Sequence, residues 1–186
     1  MKQALMQATS GDMNPQDLRR RIQWDDSAEM RLRRAAIGTS LVGIASMAIV
    51  TLFQTGVIKH LPDPPLESFH SDKVNSSSVA FGYGMPDGPI TLGAHAVNIA
   101  LAAAGPPERH RDRPWIPLLA TAIAGAQAAV AAKYLFYQMP KVDKAWCGYC
   151  ITDALTHFGT FALTLPEAGK AVAALMESRL PGPQPH

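Results

Sequence analysis

The stretch KAWCGYCITDALTHFGTFALTL, residues 144–165, places two cysteines at the mouth of an apolar run long enough to enter a membrane. Cys147 and Cys150 are the only cysteines in the chain, so any thiol chemistry belongs to this pair. Thiols three residues apart can close a small disulfide ring. At a helix start they also share the positive end of the helix, which favours the thiolate. The chain reads first as an all-α membrane protein with a redox-active disulfide.

Outward from that run, three more apolar stretches suggest membrane helices. They run from about Ala35 to Ile58, Gly88 to Gly105 and Trp115 to Met139, and the fourth runs from near Trp146 to near Leu165. Each approaches the ~20 residues that cross a ~30 Å hydrocarbon core. The first contains no charged residue, begins too late for a cleavable signal and reads as a retained anchor. A soluble helical bundle is the competing reading. The mean hydropathy of +0.01 averages these runs with polar ends.

Charge sets the expected orientation. Arg19, Arg20, Arg21, Arg31, Arg33 and Arg34 precede the first span, Arg109, Arg111 and Arg113 separate the second from the third, and Lys170 and Arg179 follow the fourth. The opposite loops carry Lys59, Lys73, Lys141 and Lys144. By the positive-inside rule this is a multi-pass inner-membrane protein with both termini cytoplasmic and the cysteine pair on the periplasmic side. Disulfides persist in that compartment. The net charge of +2 gives no case for nucleic acid.

Three domains are expected: a polar cytoplasmic segment 1–34, a four-helix membrane unit 35–166, and a cytoplasmic tail 167–186. In the first segment Asn14-Pro15 looks like a helix start. Its arginines suit lipid phosphates, a partner protein or plain solvent. From Lys59 to Asp87 runs a long connection, with Phe69, Phe81 and Tyr83 pointing to an ordered cap over the outer end of the bundle. Ala120, Ala124, Gly125 and Ala128 allow close helix packing.

Other polar residues inside the spans bear on the chemistry. Asp153 and His157, four apart, share a helix face just beyond Cys150. They could relay a proton or simply satisfy each other. His95 and Asn98 read as helix–helix hydrogen bonders, and Lys133 as a side chain reaching the interface. A zinc site would need His60 or His70 beside the cysteines. Redox use is the reading adopted, with no metal expected; an inert buried pair is the bland alternative.

The segment Tyr137 to Thr152, with Lys144-Ala145-Trp146-Cys147-Gly148-Tyr149-Cys150-Ile151-Thr152, resembles the active-site entry to the last helix of the vitamin K epoxide reductase family, above all its bacterial quinone-linked members. Asn75-Ser76-Ser77-Ser78 resembles the family's polar turn before the second helix, and Gly84-Met85-Pro86-Asp87-Gly88 its punctuation there. The resemblance covers about residues 35–166. It implies a four-helix bundle around a quinone (ubiquinone or menaquinone), with Cys147 and Cys150 catalytic. Cys147 would exchange with the thiol of a thioredoxin-fold partner. Cys150, freed as a thiolate, would face the quinone. Asn75, Ser76 or Ser78 would hydrogen-bond a quinone carbonyl, and Asp153 and His157 would belong to the same quinone-binding site. Two features depart from the family: the outer loop has no cysteine pair, and Ala154 stands where the vitamin K–processing member has tyrosine. A non-catalytic subunit of a larger membrane complex is therefore the second reading, and a metal chaperone a third.

Overall fold

The computed structural model describes residues 14–178 and, among them, is all-helical. The helices are α1 (Pro15–Trp24), α2 (Ala28–Gln54), the short α3 (Ser71–Asn75), α4 (Asp87–Ala103), the short α5 (Arg109–Asp112), α6 (Trp115–Lys133) and α7 (Gly148–Glu177). Arg179 and the prolines at 181, 183 and 185 lie outside the described residues. Asn14 caps α1 as expected, accepting from the Gln16 amide, with Pro15 at the first helical position. Ser27 caps α2 through the Met30 amide.

α2 packs against both α4 and α7, and α6 lies along the other side of α7. The small-residue stripe accounts for the last contact. Ala120, Ala124 and Ala128 are buried, and a methyl group at Gly125 would stand 3.1 Å from the Phe161 ring. Small side chains let the backbones approach and gain dispersion contacts that bulkier residues would prevent.

The distribution of polarity is inverted relative to a water-soluble bundle. Ser40, Ser46, His95, Asn98, Thr160 and Glu167 are buried, while Leu41, Ile49, Leu119, Val130, Phe136 and Leu155 face outward. A lipid solvent explains both halves of that pattern: apolar side chains cost nothing outside, and polar groups must find partners inside. Two helical stretches, Ala28–Gln54 and Trp115–Asp143, are long and apolar enough to cross a membrane. The other two expected spans fall short of that standard for physical reasons. α4 has 17 residues and ends before Gly105, whose φ of 77° turns the chain, and Pro106-Pro107, which cannot continue the helix. α7 has 30 residues but carries buried His157 and Glu167 and half-buried Asp153.

The ends of the elements also differ from expectation. After Lys133 the third helix continues as a π-helix, Tyr134–Asp143, which accommodates Pro140 before Lys144 turns the chain with φ 50°. The wider i→i+5 spacing suits a stretch where a proline interrupts the regular ladder. The fourth helix passes its expected end near Leu165 and runs through Pro166 to Glu177.

At one end, Arg33 and Arg109 are buried rather than held at a lipid surface. The Arg33 guanidinium donates to the carbonyls of Ala102 at 2.7 Å, Ala104 and Gly105 at 3.0 Å and Pro106 at 3.2 Å, closing the C-terminus of α4. Arg109 donates to Ala104 at 2.6 Å and to the Leu101 carbonyl, and pairs bidentately with Glu167 at 2.7 and 2.6 Å. Arg34 similarly binds the carbonyls of Ile22 and Asp25 at the end of α1, and Arg21 pairs with Glu108.

Candidate active site

At the other end, Cys147 and Cys150 form a disulfide with Cα atoms 5.3 Å apart. Cys147 is the N-cap of α7, and its Sγ accepts a hydrogen bond from the Cys150 amide at 3.1 Å. A cysteine is a rare cap. Its sulfur takes the place of the usual hydroxyl or carboxylate oxygen, and so sits at the point of greatest positive helix potential.

Asn75, at the end of α3, reaches the same sulfur. It is fully buried; its Nδ2 donates to Cys147 Sγ at 3.2 Å and to the Ser71 carbonyl at 2.8 Å. Its Oδ1 lies 3.6 Å from Cys150 Sγ, a contact that becomes a hydrogen bond once Cys150 carries a proton. Two N–H donors therefore converge on Cys147, while Cys150 faces an acceptor. Donors of this kind favour a charged sulfur and an acceptor favours a protonated one. The family resemblance implied that exchange frees Cys150 as the thiolate facing the quinone; both N–H donors seen here lie on Cys147.

The long connection is an ordered cap, held to the cysteine turn by its backbone. Trp146 donates to the Ser68 carbonyl and His70 to the Trp146 carbonyl, both at 2.9 Å, and Phe69 and Trp146 form a short parallel bridge. The Tyr149 hydroxyl donates to the Pro62 carbonyl at 3.2 Å, and Ser46 of α2 donates to the Tyr149 carbonyl at 3.0 Å. Of the three aromatics expected to build the cap, Phe69 packs near Gly148, whereas Phe81 and Tyr83 are exposed. His60 pairs with Asp72 at 2.8 Å. Ser76 and Ser78 are exposed on the turn after Asn75.

Gln54 was not singled out in the sequence. Its amide donates to Asp87 Oδ1 at 2.7 Å and to the Asn75 carbonyl at 3.3 Å, and accepts from the Gly88 amide at 3.0 Å. One side chain at the end of α2 thus fixes both Asn75 and the start of α4. A lone glutamine ending an apolar run gives no hint of this. Tyr134 was also missed; it packs against the cluster of Val74, Met139, Ala145 and the two cysteines, with its buried hydroxyl unpartnered.

Beyond the disulfide, Asp153 and His157 do share a face, with Asp153 Oδ2 3.6 Å from His157 Nε2. The stronger partner comes from α4: His95 Nε2 lies 2.8 Å from Asp153 Oδ1. The two imidazoles stack with centroids 4.3 Å apart and planes inclined by 10°. Asn98, the other expected helix–helix donor, binds Gln127 at 2.7 Å. Lys133 is exposed, as a residue reaching an interface would be.

No curated protein and no solved structure matches the chain. The sequence model of the vitamin K epoxide reductase family matches residues 34–165, most of the chain and all of the site just described. A family of thiol–disulfide oxidoreductases accounts for the one cysteine pair, and a membrane setting for the outward-facing apolar residues. The chain belongs to the vitamin K epoxide reductase family.

Proposed function

We propose that the protein carries electrons from a protein dithiol to a membrane quinone through Cys147 and Cys150. The observation that supports this most directly is the asymmetric setting of the disulfide: two donors on Cys147 Sγ and one acceptor beside Cys150 Sγ. Such a pair is prepared to become one thiolate and one thiol. A thiolate of a thioredoxin-fold partner attacks the disulfide, a mixed disulfide forms, and a second thiol of the partner resolves it, leaving Cys147 and Cys150 reduced. A quinone, when bound, supplies an acceptor for two electrons and two protons. The unpartnered Tyr134 hydroxyl, packed on the cysteine cluster, fits a quinone oxygen. Asn75 acts on the sulfurs.

In this reading the four long helices α2, α4, α6 and α7 cross an inner membrane as a bundle. Both termini are cytoplasmic and the cysteine turn is periplasmic, as the arginine distribution suggests. Thiol trapping in native membranes tests the proposal. The pair is expected to be reduced by a dithiol and reoxidised only when quinone is present, and Cys→Ala at either position to abolish the cycle. A pair that stays in one redox state under every condition would end the proposal.

The alternative role, a non-catalytic subunit of a larger membrane complex, draws on a different observation. Cys147 has no exposed surface under the cap, and the cap contains no cysteine to pass electrons inward. Co-purification at fixed stoichiometry, with Cys147→Ala leaving that complex intact and active, would favour it.

A further inference from the structure

His95 of α4 meets Asp153 and His157 of α7 in a cluster whose half-buried carboxylate, Asp153, lies less than one turn beyond Cys150. We propose that they are a proton-transfer unit that accepts the Cys150 proton when the dithiol is oxidised; this rests on the dithiol–quinone reading above.

Three observations carry the inference. His95 is fully buried and His157 nearly so, and each turns Nε2 toward one oxygen of the same carboxylate. The Nδ1 atoms of both rings are buried without a partner. His95 therefore has one nitrogen hydrogen-bonded to the carboxylate, His157 Nε2 stands 3.6 Å from its other oxygen, and each ring keeps a free Nδ1, as a group needs to take a proton on one side and release it on the other. Third, α2 makes room for the arrangement: a methyl at Gly43 would lie 2.2 Å from His95 Nε2 and 2.8 Å from Thr156 Oγ1. A fully buried orphan nitrogen is costly in a purely structural pair, which could have been built from apolar residues.

The stacking limits the cluster to one proton. Two imidazolium rings face to face would repel strongly, while one imidazolium beside one neutral ring and a carboxylate is tolerated. Few other charges intrude. α2 contributes Ser40, Gly43, Ser46 and Met47 to its buried face, α4 adds only Asp87 at its start, α6 has Lys133 exposed, the π-helix adds Tyr134, and α7 adds Cys150.

The same residues have the donor set of a two-histidine, one-carboxylate metal site, with donor atoms within 4.8 Å of one another. The parallel rings oppose that use, since each lone pair lies in its own ring plane and stacked planes do not converge on one ion. A ligating imidazole also ordinarily passes its second N–H to an acceptor, and neither ring has one.

The balance is as follows. Reduced protein holds a Cys147 thiolate and a Cys150 thiol, the other thiol proton having gone to the outer water. As the S–S bond forms, two electrons pass to the quinone. The Cys150 proton moves to the carboxylate–imidazole unit and on to a quinone oxygen, and water supplies the second proton of the quinol.

Two measurements on the full chain in detergent–lipid micelles test this. The first is the reduced-minus-oxidised infrared difference spectrum, taken without quinone by titrating the pair with a thiol redox buffer. The second is the rate and pH profile of dithiol reoxidation by a soluble quinone. Because the unit's hydrogen-bonded carboxylate responds when Cys150 gains its proton, wild type is expected to show carboxyl and imidazole difference bands. Asp153→Asn removes the carboxyl bands and slows reoxidation about a hundredfold at neutral pH, while reduction by external dithiol changes less than twofold. Asp153→Glu restores part of the rate, which excludes simple misfolding. Unchanged spectra and pH profile in Asp153→Asn and His95→Gln, with wild type still reoxidised, would overturn the unit and leave the function standing. Stoichiometric metal held by wild type and lost in His95→Gln would overturn it too. A wild-type dithiol that quinone never reoxidises would bring down both readings.

Discussion

Two polar clusters lie inside this helix assembly, one at the arginine end and one midway along α4 on the cysteine side, and they are built on opposite principles. In the Arg33–Arg109–Glu167 cluster each guanidinium nitrogen has a carbonyl or carboxylate partner. In the His95–Asp153–His157 cluster the carboxylate is shared and two ring nitrogens have no partner. Complete satisfaction is what a structural tie requires, because every unpaired group in a low-dielectric interior costs free energy. Incomplete satisfaction leaves a site from which a proton or a ligand can come and go. The small cavity that borders Arg33, Asn98, Thr160 and Glu167 lies beside the satisfied cluster, so available space alone does not mark the working end.

The comparison fails if the two clusters respond alike to mutation. Glu167→Ala is expected to give the largest loss of stability, about 3–5 kcal/mol, because it leaves Arg109 charged and unpaired inside the protein. Thermal unfolding in detergent reads that loss; the redox behaviour of the cysteine pair at low temperature should be unchanged. Asp153→Asn, in contrast, should cost about 1 kcal/mol or less in the same unfolding assay, since an amide can replace the carboxylate as a hydrogen-bond partner.

Gly43→Ala gives the next effect and sharpens the comparison. Overpacking against His95 should cost about 1–3 kcal/mol, and the displaced ring should slow reoxidation as His95→Gln does. A stable Gly43→Ala protein with wild-type reoxidation would show that ring placement is irrelevant.

Asn75→Ala removes one of the two donors on Cys147 Sγ. A hydrogen bond to a charged group is worth about 1.5–3 kcal/mol, which corresponds to a rise of about one to two units in the thiol pKa of the reduced protein. Alkylation rates of the dithiol against pH measure that rise; an unchanged profile would return the thiolate to control by the helix end alone.

The smallest change belongs outside both clusters, at the cap of α2. Ser27→Ala should cost about 1 kcal/mol in thermal unfolding. The Ser27 hydrogen bonds also hold the Asp25 carboxyl below the usual carboxylate range. A depressed carboxyl adds stability above its unfolded pKa and loses it as pH falls through the folded one. The difference between wild type and Ser27→Ala should therefore narrow in acid.

Much of the fold was legible because it depends on near neighbours in the chain. The Ala120–Ala124–Ala128 stripe and the Asn14 cap follow from helical spacing and local hydrogen bonding. The cysteine turn at the start of α7 follows in the same way. The arginine count was read by sign, and sign does not reveal that Arg33 and Arg109 are buried among carbonyls. Asp153 and His157 were legible as a pair four residues apart.

The sequence by itself determined the cysteine pair, the helical class, the apolar stretches and the family, since each rests on composition, spacing or a local motif. Only the tertiary structure decided which polar residues meet. His95 reaches Asp153 across 58 residues, Asn75 reaches Cys147 across 72, and Arg109 reaches Glu167 across 58. The physical reason is common to all three. A helix fixes which side chains share a face, but its partner and register are set by close packing against other helices. Burial then decides whether a charge is a tie, a proton site or a surface group.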